Sequence, residues 1–150
     1  MGTTLYISLE RTTDRGKFHW AIIVEPSADA LSGFFKSEAV RFPDEDNFVG
    51  CVRLPEVQAS VDTLRERFAE NPAAQGNTYL PYTHTEKGWS CALWVMRELT
   101  KLEEEGLIQL GLASWSDVPK FYIRVCDKGI ELQEMTGGML VNGVRVIDLI

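Results

Sequence analysis

Two residues have the type and the setting to do chemistry. His19 lies in PheHisTrpAlaIleIleVal, near the start of an apolar, strand-like run. Cys91 lies in TrpSerCysAlaLeuTrpValMetArgGluLeu, at the start of a helical pattern. A thiol at a helix N-terminus faces unpaired backbone N–H groups and the positive end of the helix dipole, and both favour thiolate over thiol. A neighbouring imidazole lowers the thiol pKa further by forming a thiolate–imidazolium pair. The same N–H groups can hold the oxyanion of a tetrahedral intermediate. Cys91 and His19 are therefore the residue types that acyl transfer needs, on suitable elements, provided the fold brings them together.

The elements that must position them can be read from periodicity. Leu5, Ile7 and Leu9 alternate with Tyr6, Ser8 and Glu10, a strand signal. Turn chemistry follows at 12–16. Phe18 to Val24 reads as a second strand, apolar on both faces and so expected in the middle of its sheet. The two strands form an antiparallel hairpin in this reading. A loop is expected over 26–33, a third strand over 34–42, an acidic turn over 43–47 and a fourth strand over 48–54. From Glu56 the period changes. Val57, Val61, Leu64 and Phe68 share one helical face, and 71–77 ends that helix. Residues 79–88 are irregular and aromatic. A second helix is expected from Cys91 to Glu105, with Leu93, Met96, Leu99 and Leu102 buried, Ala92 and Val95 widening that face, Ser90 as N-cap and Gly106 as its stop. Beyond it, Trp115 to Pro119 reads as a turn and Phe121 to Cys126 as a short strand. AsnGly between apolar flanks predicts a hairpin over 139–148. The fold class expected is α+β: one domain over 1–150, an antiparallel sheet packed against two main helices.

Composition narrows the partners. The chain has 150 residues, 45% hydrophobic and 25% charged, the balance of an ordinary globular protein. Its net charge of −7 argues against nucleic-acid or anionic-membrane binding, which need a basic face. The longest apolar run, Trp20 to Val24, is far short of a membrane span. The opening MGTTLYISLE has neither a signal-peptide pattern nor a myristoylation pattern, so a cytoplasmic protein is expected. Three cysteines at wide spacing and two histidines form neither a disulfide framework nor a zinc pattern, and no metal or other cofactor is expected.

The order of the two motifs resembles the circularly permuted papain-like thiol hydrolases, the NlpC-like and lecithin–retinol acyltransferase-like group. There, a His-bearing strand precedes a Cys-bearing helix, as His19-Trp20-Ala21-Ile22 precedes Cys91 and Trp94. More narrowly, the HisTrp strand and the Cys-x-x-Trp helix running into Leu102 to Ile108 resemble small fungal proteins. The resemblance covers residues 3 to 108 and implies a permuted papain-like fold. It also implies a Cys91–His19 dyad acting on a small-molecule acyl substrate or a peptide. Hydrolysis, isopeptide cleavage by a thiol protease and closure of a lactone or pyrone on a polyketide chain are all open. In the cyclising case His19 can act as general base on a substrate hydroxyl with no covalent intermediate. Many relatives carry Asn where this chain has Ser90. Glu38, ahead of Glu25, is the expected partner of the imidazole. Tyr6 and Ser8 are expected to point into the same cleft, and Tyr82, His84, Trp89 and Ser90 to line it beside the substrate.

Each residue also has a plainer reading. Cys91 and His19 are residue types that packed interiors commonly hold. Cys51 and Cys126, flanked by apolar residues, read as core filler. His84 reads as a loop histidine, Trp20 and Trp94 as core residues. Glu103 to Glu105 and Asp44 to Asp46 read as solvated acidic runs. A non-catalytic binding module on the same fold is the alternative to the enzyme.

Overall fold

The computed structural model describes residues 2–11, 18–25, 48–70, 91–112, 117–141 and 144–150. The turns expected at 12–16 and 43–47, the loop at 26–33, the strand at 34–42 and the segment 71–90 lie outside the described residues.

Strands β1 (Thr4–Arg11), β2 (Phe18–Glu25) and β3 (Phe48–Arg53) come first. Helices α1 (Val61–Glu70), α2 (Cys91–Glu104) and α3 (Val118–Glu134) follow, then β4 (Met139–Val141) and β5 (Val144–Asp148). The strands pair in the order β2-β1-β3-β5-β4. β1 is antiparallel to both β2 and β3, and β4 is antiparallel to β5, as the AsnGly signal implied. β3 and β5 run parallel, so the sheet is mixed rather than antiparallel throughout.

Two further expectations are corrected. β2 stands at one end of the described strand order, not in its middle. Its apolar character reflects burial on both faces: Trp20 and Val24 are buried on one, Ile23 on the other. The stretch expected as a short strand, 121–126, instead lies within α3, the third described helix, and Val118 and Pro119 of the expected turn open it; Trp115 and Ser116 lie outside the described residues. Phe121, Val125, Gly129 and Leu132 recur at helical spacing and are buried, and Pro119 sits in the first turn, where its missing N–H costs nothing.

Local chemistry explains the other helix ends. The Thr63 N–H donates to Ser60 Oγ at 3.1 Å, an N-cap bond at the head of α1. Val57, read from sequence as part of that helix, instead bridges Thr3 through two backbone bonds. α2 ends at Glu104, and Gly106, with a φ of +75°, suits the stop that follows a helix. The expected stripe of Ala92, Leu93, Val95, Met96, Leu99 and Leu102 is buried.

The sheet has two different faces. Leu5, Ile7, Leu9, Trp20, Val24, Val52 and Ile147 share one core with the buried residues of all three helices. Trp20 stacks on Tyr122 of α3, with centroids 5.5 Å apart. Tyr6, Ile23, Cys51, Val144 and Val146 form a separate cluster on the opposite face. Among the described residues, no helix contributes to it. No described helix is long and apolar enough to cross a membrane.

Candidate functional site

The strand register decides where the imidazole of His19 stands. His19 is paired directly with Glu10, and the next residue, Trp20, with Leu9. Directly paired residues of antiparallel strands project to the same face. Leu9 and Trp20 belong to the helix-covered core, so His19 and Glu10 project to the other face. His19 is exposed there and Glu10 half-buried. A directly opposed pair has Cβ atoms about 4.5–5.5 Å apart, within reach of a carboxylate and an imidazole.

Tyr6 and Ser8 share that face. The three expected site residues of β1 and β2 are therefore brought to one side of the sheet, but in different environments. Tyr6 and Ser8 are buried beside Arg53 and Cys51, their partners on β3. Neither meets solvent.

A distortion lies beside this row. β1 pairs Leu9 with Gly50 but Glu10 with Phe48, so Val49 is an extra residue on β3. Such a bulge bends the strand and strengthens the local twist. Gly50 has a φ of +152°, and a Cβ built on it would stand 2.7 Å from the carbonyl oxygen of Arg145. Only glycine fits both conditions.

Cys91 is the first residue of α2, a helix of 14 residues. The buried side chains of α2 join the core on the helix-covered face. The register thus turns His19 away from the face on which α2 packs. The side chain of Cys91 lies outside the described residues, as do Glu38, Tyr82, His84, Trp89, Ser90 and the side chain of Glu25. Burial pushes the pKa of Cys51 far above the usual thiol range. Cys126 is also raised, first by burial; a hydrogen bond with Tyr122 partly offsets this, and the Asp127 charge adds to it.

Other polar groups escaped the sequence reading. Arg53 and Asp148, paired across β3 and β5, form a two-bonded ion pair: Nε donates to Oδ1 at 2.5 Å and a terminal nitrogen to Oδ2 at 3.1 Å. The Asp148 hydrogen bond is the main cause of a raised Arg53 pKa, and Tyr6 adds to it. On α2, Glu98 is fully buried, with Oε2 accepting from Arg97 Nε at 3.0 Å and Lys101 Nζ 3.7 Å away. Its other oxygen has no hydrogen-bond partner among the described residues. Open clefts are lined by described residues. Thr4, Arg53, Leu54, Pro55, Asp148 and Ile150 line a smaller one; Thr63, Glu66, Arg67, Glu70 and Lys101 line a larger one, between α1 and α2.

No protein-family model, curated protein or solved structure was found to match the chain.

Proposed function

We propose that the protein is an acyl-transfer enzyme led by His19 as general base, closing a ring on, or hydrolysing, a small-molecule acyl substrate. The acyl chemistry comes from the sequence resemblance. The one observation that supports His19 over a Cys91–His19 dyad is the register: it directs the imidazole to the sheet face away from α2 and sets Glu10 across from it. In the cyclising form, His19 accepts the proton of a substrate hydroxyl as that oxygen attacks the acyl carbonyl. A C–O bond forms, the bond to the leaving alcohol or thiol breaks, and the imidazolium returns the proton to the leaving group. Nothing is oxidised or reduced, and no acyl-thiol intermediate is required.

The test sets His19→Ala beside Cys91→Ser on a panel of hydroxyacyl thioesters and simple esters, with product release and intact-protein mass followed together. A substrate the native protein turns over should lose about 10²- to 10⁴-fold in kcat with His19→Ala, the range for removal of a general base. Cys91→Ser should retain most activity. Loss of turnover in Cys91→Ser, with an acyl mass adduct on Cys91 in the native protein, would overturn this reading. Binding of the panel without turnover would point instead to a non-catalytic module.

One observation favours the thiol mechanism as a second reading. Cys91 opens a long helix, whereas burial raises the pKa of Cys51 and of Cys126. The same mass experiment distinguishes it.

A further inference from the structure

We infer that Glu10 is the positioning residue for His19, holding one tautomer and orientation of its ring, and that the Gly50 bulge shapes the strand on which Glu10 stands. This rests on the His19-led reading proposed above.

Sequence order offered Glu38 and Glu25 as partners for the imidazole. The strand pairing instead places Glu10 directly opposite His19 and on the same face. A carboxylate opposite an imidazole accepts the N–H of one ring nitrogen and so leaves the other as the base. That division of roles is what a general base requires, because the proton-accepting nitrogen must be the one facing substrate.

The bulge is an independent sign that this row is specially built. The regular β1–β3 ladder breaks between Leu9 and Glu10, at the level of His19 and not elsewhere in that pairing. It breaks through a glycine whose backbone conformation and close approach to Arg145 exclude a side chain. Bulges bend a strand and redirect the side chains next to them, and they concentrate beside functional sites. Here β1, the strand carrying Glu10, has a regular partner on the His19 side and a distorted one on the other.

The experiment is a ¹⁵N NMR measurement of the histidine rings in the full chain, at about pH 8, where an ordinary imidazole is neutral. The chain has two histidines, so the ring signals that vanish in His19→Gln belong to His19. In the native protein those signals should report one dominant tautomer. Glu10→Val, which removes the acceptor but suits a strand, should shift them toward the mixture of a free imidazole. Glu10→Gln, which keeps an acceptor oxygen, should stay close to the native pattern. On a substrate turned over by the native enzyme, Glu10→Val should lower kcat by about tenfold or more with KM little changed. His19 ring signals that superimpose in the native protein and Glu10→Val would overturn the inference, whatever the activity. A changed tautomer with activity indifferent to His19→Ala would leave it standing and sink the acyl-transfer reading instead.

Discussion

Cys51 illustrates how one residue's surroundings set its chemistry. It is fully buried between Ser8 on β1 and Val146 on β5. Burial penalises the thiolate and raises its pKa. The native state therefore keeps a proton that the unfolded chain gives up once pH passes the ordinary thiol value. The stability tied to that proton is complete below the unfolded pKa, about 8.5, and is lost as pH climbs from there toward the native pKa. The loss runs at about 1.4 kcal/mol per pH unit for one thiol. Urea unfolding of the native protein and Cys51→Ala between about pH 9 and 10.5 should show a shallower decline in the variant by about that slope. Parallel declines would mean that Cys51 ionises in the folded state. The plain reading of Cys51 as core filler was legible from its apolar neighbours. The residue opposite His19 was not named from sequence, yet its signal was present. Once β1 and β2 are joined as a hairpin, counting outward from the turn pairs 19 with 10, and Glu10 is the only carboxylate on β1.

Elements differ in how locally they are specified. β1, the hairpin partner β2, the apolar faces of α1 and α2, the Gly106 stop and the β4–β5 hairpin were all readable, because periodicity and turn residues act within a few positions. α3 was misread because Phe121, Ile123 and Val125 alternate over a window too short to separate the two periods. Only the longer recurrence through Gly129 and Leu132 favours a helix. The bulge in β3 had a single local sign, an isolated glycine inside a strand pattern. Gly50→Ala tests how rigidly that bulge is specified. The new methyl would meet the Arg145 carbonyl oxygen at 2.7 Å on a backbone that L residues rarely adopt. Strain of about 1–2 kcal/mol and overpacking of about 1–3 kcal/mol should together cost about 2–5 kcal/mol. At Gly106 a Cβ would meet nothing within 4 Å, so Ala there should cost only the conformational part, about 1 kcal/mol. Equal unfolding midpoints for the two variants would show that β3 relaxes around residue 50.

At the scale of the molecule, the parallel join of β3 to β5 links segments far apart in the chain, and no local pattern could announce it. That join matters because β5 serves both faces of the sheet. Val146 and Val144 belong to the cluster of Tyr6, Ile23 and Cys51, while Ile147, and Leu149 just past the strand, belong to the core beneath the helices. Leu149 N–H also donates to the Arg53 carbonyl, extending the ladder past the Arg53–Asp148 pair. That pair is partly exposed and screened, so it contributes little to stability. The apolar residues of β5 are a different matter. Each buried aliphatic side chain contributes about 1.5–3 kcal/mol, and a domain's whole stability is about 5–15 kcal/mol. A chain ended after Gly138 should therefore fail to fold cooperatively: its far-UV circular dichroism should melt without a sigmoidal transition, and amides of β1 and β3 should exchange rapidly. Retention of a cooperative melt, with slow exchange in β1, would mean that β1, β2, β3 and the helices form a stable unit alone. The His19–Glu10 row would then sit on a core independent of β5, and its geometry could be studied in the shorter chain.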